Sequence, residues 1–289
     1  MDSILERLNQ PKPILLDGAT GTELNRRGVD ISLPMWSAAA IESAPDVLRH
    51  IHADYVTAGA EILTANTFRT HARNLIAAGR ADRAGELTQR AVEIARSAAG
   101  ESAWVAGSQA PLEDCYSPQR VPDDEALKRE HEAMSHNLAD AGVDLILVET
   151  QNTIREAVAA TQAATSTRLP TFVSFVCGTE GRLLSGETLT EAVTAVLPFQ
   201  PAALLVNCIP AESALSMLKE LRAAAGEIPF GAYANIGKQE PDGTWIDSDA
   251  VDPECYARYA ESWLKIGAKL IGGCCGTTPE HVQKMKNLF

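Results

Sequence analysis

Eight short runs of aliphatic and β-branched residues alternate along this 289-residue chain with longer stretches of helical periodicity. The runs are 14–17, 61–64, 103–107, 144–149, 171–176, 202–207, 229–233 and 268–272. Several are apolar on both faces, as in Leu145-Ile146-Leu147-Val148 and Leu204-Leu205-Val206. Strands covered on both sides in a parallel sheet read this way. The intervening helices are punctuated. Pro45 opens a stretch to Ala58 with Val47, Leu48, Ile51, Tyr55 and Val56 on one face, and Gly59 ends it. Gly142 and Gly267 close later helices just before a strand. Eight β-α units predict an α/β fold, a single-domain (β/α)8 TIM barrel over 1–289. The alternative, a doubly wound open sheet, usually needs fewer strands and a phosphate-binding glycine loop. The chain has neither a G-x-G-x-x-G pattern nor a P-loop.

A barrel of this kind places its working residues just after its strands. Asp17 and Gly18 follow the first run, Asn66 and Thr67 the second. Glu149 ends the fourth, Cys208 follows the sixth, Asn235 the seventh, and Cys274 and Cys275 the eighth. Long segments follow the first, third and seventh runs, at 18–43, 110–123 and 234–252. Loops of that length carry lids or binding surfaces.

The most specific local feature is Gly272-Gly273-Cys274-Cys275-Gly276-Thr277-Thr278. Adjacent cysteines in a glycine-rich loop bind a soft metal if a third thiolate joins them, and Cys208 is the candidate third. Three thiolates around zinc leave one coordination position open, as a catalytic zinc requires. Paired glycines mark a close approach of the backbone to another group. Thr277 and Glu280 form a capping-box pattern with Pro279 in the first turn, so a helix starts here and its positive end favours a thiolate at Cys275. The competing readings of Cys274 and Cys275 are buried small hydrophobes, or a non-enzymatic zinc-binding or thiol-redox pair. Cys115 and Cys255 read as ordinary thiols. Cys177 follows a strand and reads as a buried thiol or as a further group facing the same site. The six histidines show no H-E-x-x-H spacing and read as structural or solvated, with His131 and His136 on a predicted exposed helix.

Composition excludes several classes. The net charge of -13 argues against nucleic acid and anionic membranes as partners. The low aromatic content argues against base-stacking platforms. The segment 1–9 reads as a short amphipathic helix with Ile4, Leu5 and Leu8 on one face, not as a signal peptide. No segment approaches the roughly 20 apolar residues of a membrane span. Six cysteines without a secretory signal point to the reducing cytoplasm.

Four segments together resemble the zinc-dependent homocysteine S-methyltransferase family. They are Leu16-Asp17-Gly18-Ala19-Thr20-Gly21-Thr22-Glu23-Leu24, Val148-Glu149-Thr150, Val206-Asn207-Cys208, and Gly272 through His281. The resemblance spans nearly the whole chain and implies a (β/α)8 barrel with zinc on Cys208, Cys274 and Cys275. It implies a homocysteine thiolate attacking an activated methyl group to give methionine. Glu149 is expected to take the homocysteine ammonium group, or else to cap the next helix. The backbone at Asp17-Gly18 is expected to meet the amino-acid end. Asn66, Thr67, Asn207 and Asn235 are expected polar contacts. Trp36 would offer an aromatic face to a cationic donor, or anchor its loop on the rim. Betaine-using members carry tyrosines after strands two and four, where this chain has Arg69 and Thr150. That favours S-methylmethionine or S-adenosylmethionine as donor over betaine, and a corrinoid donor would need a separate protein to bring it. Another thiol or a selenol as acceptor, and a homo-oligomer, stay open.

Overall fold

A computed structural model describes residues 3–178, 181–239 and 244–289. Residues 1–2 of the expected N-terminal helix and 240–243 of the segment 234–252 lie outside the described residues. Seven parallel strands come first: β1 (Ile14–Leu15), β2 (Ile62–Ala65), β3 (Trp104–Gln109), β4 (Leu145–Gln151), β5 (Thr171–Phe175), β6 (Ala203–Pro210) and β7 (Phe230–Asn235). β8 (Gly237–Gln239) and β9 (Trp245–Asp247) form an antiparallel hairpin after β7. β10 (Leu270–Gly273) then pairs between β7 and β1. The ring closes where Glu61 N–H donates to Leu15 O (2.7 Å) and Asp17 N–H donates to Ile62 O (3.0 Å). The expected (β/α)8 barrel is the fold. The hairpin is an addition, and its three-residue arms are too short to show a periodicity in sequence.

Strand alternation sorts the side chains. Leu145 and Leu147 join Leu16, Ile62, Phe172, Leu205 and Leu270 inside the barrel, while Ile146 and Val148 pack outward beneath the helices. The short helix Ile4–Leu8, capped by Ser3 and Glu6, adds Ile4 and Leu8 to the same interior cluster. Arg7 on that helix pairs with Glu61 and donates to the carbonyls of Lys12 and Pro13, which fixes it at the amino-terminal mouth of the barrel. Apolar plugging therefore closes one end. At the other end the inward positions turn polar, with Thr64, Ser108, Glu149, Ser174 and Asn207. The helices between strands follow their sequence punctuation. Pro45–Ala58 has Pro at its first turn and ends at Gly59 with φ 104°. Asp123 and Thr153 accept backbone N–H bonds at the starts of Asp124–Asp140 and Ile154–Ser166. Among the described residues no helix is long and apolar enough to cross a membrane.

Two local expectations need correction. The last helix, Pro279–Lys286, is capped by Thr278 with His281, one residue later than the Thr277–Glu280 pattern suggests. Thr277 is instead committed to the cysteine loop, which removes its hydroxyl from capping. The helix carrying His131 is exposed only on its outer face. His131 itself is fully buried against β3, bonded to Gln109 (3.2 Å) and to Glu156 (3.2 Å).

Gly231 on β7 is the tightest point of the barrel wall, because a Cβ there would stand 1.9 Å from Leu270 O on β10. Gly231→Ala is expected to lower stability by about 1–3 kcal/mol or more by forcing β7 and β10 apart, read as a drop in thermal midpoint.

Candidate metal and substrate site

Cys208 reaches the site through a distortion of β6. Asn207 occupies an inward position, so plain alternation would turn residue 208 outward. The β6–β7 register shifts between Asn207 and Pro210, and Cys208 adopts φ 54°, a left-handed conformation that non-glycine residues rarely hold. β4 carries a matching irregularity, with Thr150 at φ 59°. The two are tied together by Asn207. Its Oδ1 accepts from Thr150 N–H (3.0 Å) and Ser174 Oγ (2.7 Å), and its Nδ2 donates to Thr150 Oγ1 (2.8 Å).

Cys274 and Cys275 sit in the turn after β10, and their backbone is pinned from two sides. Cys274 N–H donates to Ala234 O (2.7 Å), and Cys275 N–H donates to Asn235 Oδ1 (3.0 Å). From the first loop, Thr22 Oγ1 accepts from Gly276 N–H (3.0 Å). Thr277 Oγ1 donates to Cys274 O (2.8 Å) and accepts from Ala19 N–H (3.2 Å). The glycine pair allows this closeness. A Cβ on Gly273 would meet Thr277 Oγ1 at 2.2 Å, and one on Gly272 would meet Leu16 Cβ at 2.7 Å. The close approach expected at these glycines is thus made by Thr277 of the same turn and by the end of β1.

The result is that the sulfurs of Cys208, Cys274 and Cys275 lie within 4.8 Å of one another. Cys208 and Cys274 are in direct contact at 3.0 Å. Hydrogen bonds from Cys208 and Cys274 hold Cys275 well below the ordinary thiol range, while bonds to both neighbours and burial push Cys208 well above it. Cys274 is likewise pushed above the ordinary range, so crowding opposes more than one thiolate among the three. A second would be repelled unless a cation replaced the protons. The soft donor set would suit a thiolate-binding dication such as zinc, whose bonds to sulfur are about 2.3 Å long.

That cavity has a volume of about 390 Å³. Its wall includes Asp17, Gly18, Trp36, Asn66 and Glu149 along with the three cysteines. Asp17 accepts from Thr64 N–H (2.8 Å) and Thr64 Oγ1 (3.0 Å). Burial nonetheless pushes its carboxyl up to about 8. Glu149 accepts from Ser108 Oγ and from Tyr233 OH (3.1 Å), and burial, aided by the nearby Cys274, pushes it up to about 7. Trp36, at φ 48°, lies over Gly21, where a Cβ would collide with its ring at 2.5 Å, and meets Phe68 edge-on at 5.8 Å. It is both a rim anchor and a wall of the cavity.

Other candidates stand behind that wall. Thr67 donates to Ser108 O (2.8 Å), Asn207 ties β4 to β6, and Asn235 holds the cysteine loop. Asn66 lines the cavity but spends its amide on Ser37. Cys177 packs in the helix-facing core, away from the thiol cluster, and burial pushes it up to about 12. Cys115, read from sequence as an ordinary thiol, lines the cavity beside Tyr116. Thr64, Ser108 and Tyr233 had no motif to mark them. Their signal was positional, since period-two counting along β2, β3 and β7 puts each on the inner face near the carboxyl end.

The fold and this site define a metal-dependent methyltransferase barrel. Residues 14–289 match the model of the homocysteine S-methyltransferase family, and the chain belongs to that family. It is 30% identical over 300 residues to the homocysteine S-methyltransferase of Escherichia coli K12, covering 96% of each chain. It is 26% identical to the selenocysteine Se-methyltransferase of Brassica oleracea, covering 93% of this chain and 86% of the relative. The metallated form of the homocysteine methyltransferase MmuM from Escherichia coli superposes with a TM-score of 0.84 at 29% identity, covering 96% of both chains.

The raised Asp17 carboxyl has a consequence for stability. The folded chain keeps this proton up to about pH 8, whereas the unfolded chain loses it near 3.8. The folded state therefore binds more protons, and Asp17 opposes folding increasingly as pH rises through that window. In metal-free, substrate-free protein, Asp17→Asn is expected to flatten the fall in urea midpoint between pH 5 and pH 8, limits set inside that range. Asn207→Ala, which orphans the buried Thr150 N–H, is expected to cost about 1–3 kcal/mol in the same assay.

Proposed function

We infer that the chain transfers a methyl group from a cationic sulfonium donor to the thiolate of homocysteine, giving methionine, at a zinc ion held by Cys208, Cys274 and Cys275. The observation that carries this reading is the packing of three sulfurs within 4.8 Å beside two buried carboxylates at the open end of the barrel. Zinc bound there would lower the pKa of an incoming thiol, free at about 8.5, and hold the thiolate in the open position.

The chain's own groups do the rest. Asp17 and Glu149 face the cavity with no ion-pair partner among the described residues, and an amino-acid ammonium group would supply one and restore their ionised forms. Ser108 and Tyr233 hold the Glu149 carboxylate in place for that contact. The homocysteine thiol proton leaves to water. The sulfur lone pair then forms the new S–CH3 bond as the donor's C–S bond breaks, and that electron pair neutralises the donor sulfonium. Sulfur attack at a methyl carbon needs no general base at that carbon. The Trp36 and Phe68 rings offer apolar, electron-rich walls for the positive donor. A thiol cluster that must stay reduced to hold metal suits a reducing, cytoplasmic setting.

Reduced protein is expected to contain one zinc per chain and to form methionine from homocysteine and S-methylmethionine. Cys208→Ser, Cys274→Ser and Cys275→Ser are each expected to lose metal and to lower turnover by at least about a hundredfold, followed by metal analysis and product formation. A folded wild-type protein that takes up no zinc would overturn the reading.

A further inference from the structure

Among the described residues, Arg69 is the one basic side chain lining the cavity. It stands in the loop after β2, next to Phe68, in a wall that otherwise offers Asp17, Asp114, Glu149 and four thiols. Its partners are few. Nη1 donates to Asn74 Oδ1 at 3.4 Å, and the buried Nε has no acceptor among the described residues. Arg73, one turn further on, shows the contrast: it is forked onto Glu130 and also bound to Glu113. Asp114 shares the cavity with Arg69, but it accepts from Tyr116 N–H (3.2 Å) and Ser117 Oγ (2.7 Å) in its own turn.

A guanidinium with an orphaned buried N–H carries an unmet desolvation cost, and its planar fork matches a carboxylate. In the proposed reaction the homocysteine ammonium group goes to Glu149 and Asp17, and its carboxylate to the backbone N–H groups after Asp17, where the first turn of helix Gly21–Arg26 has no side-chain cap and lines the same cavity. The anion assigned to Arg69 then comes with the other substrate. The neighbouring Phe68 ring, edge-on to Trp36 at 5.8 Å, suits the onium centre of that same molecule. We propose that Arg69 reads a carboxylate on the methyl donor, so that the donor is a zwitterion whose sulfonium lies along the Trp36–Phe68 wall and whose carboxylate is held by the guanidinium. This rests on the sulfonium-donor reading and narrows it. A sulfonium without the anion would bury the guanidinium unpaired, and the site would reject it.

The test compares S-methylmethionine with its carboxamide, in kcat/KM and in equilibrium binding, on zinc-loaded wild type, Arg69→Ala and Arg69→Lys. Wild type is expected to prefer the acid by about ten- to a hundredfold, the range of a charge-assisted hydrogen-bonded pair. Arg69→Ala is expected to bring the acid-to-amide ratio close to one while the homocysteine KM stays within about twofold, and Arg69→Lys to restore part of the preference. Equal use of both donors by wild type, a preference that survives in Arg69→Ala, a loss that falls on the homocysteine KM, or no binding of either donor would each overturn the proposal. A carboxylate preference in binding without methionine from any donor would sink the proposed reaction and leave the Arg69 assignment standing. Methionine formation with an unaltered preference would do the reverse.

Discussion

Three sulfur atoms held within 4.8 Å set the terms for everything around them. They come from two strands of the barrel separated by β7, and neither strand delivers its cysteines by regular geometry. β6 must break its alternation at Cys208, and β10 must end in a turn tight enough to present two adjacent residues. Both departures cost backbone strain and lost ladder bonds, and both are underwritten by side chains. Asn207 occupies the polar groups freed by the paired irregularities of β4 and β6. Asn235, Thr22 and Thr277 occupy those of the cysteine turn. Local strain of order 1–3 kcal/mol persists where the surroundings over-determine it.

The electrostatics of the cavity follow from the same crowding. Asp17, Glu149 and the thiols are buried together, so few of them can be ionised unless cations arrive. A metal dication, an ammonium group and an onium centre each relieve part of that frustration. Charge complementarity of this kind gives specificity for the right set of ligands more than raw affinity for any one of them. Arg69 is the exception that shapes the other side of the cavity.

Legibility in the sequence was uneven, for physical reasons. The eight strands and the cysteine motif were readable because both are local patterns, one of period and one of adjacency. Strand ends drifted by one to three residues; on β4 and β6 the irregularities at Thr150 and Cys208 carry the pairing beyond the apolar runs. His131 read as structural or solvated because its helix is polar overall, and the fold makes it structural, with its ring facing Gln109 and Glu156 inside. Cys115 and Tyr116 carry no motif, and their place at the cavity depends on how a long loop folds back over the rim.

What the sequence determined by itself was the barrel and the set of sulfur ligands to consider. Hydrophobic periodicity is written residue by residue, and a glycine-flanked cysteine pair has few other uses. What only the tertiary structure decided was which side chains share one cavity and which merely support it. Asn66 and Thr67 are neighbours in sequence, yet Asn66 lines the cavity and Thr67 is turned to the β3 backbone. Arg69 was marked in the sequence only by standing where a tyrosine was expected, and it proves to be the one basic side chain on the cavity wall among the described residues. Such assignments depend on distances between segments tens to hundreds of residues apart, and those distances are fixed by closure of the ring and by two local breaks in strand alternation.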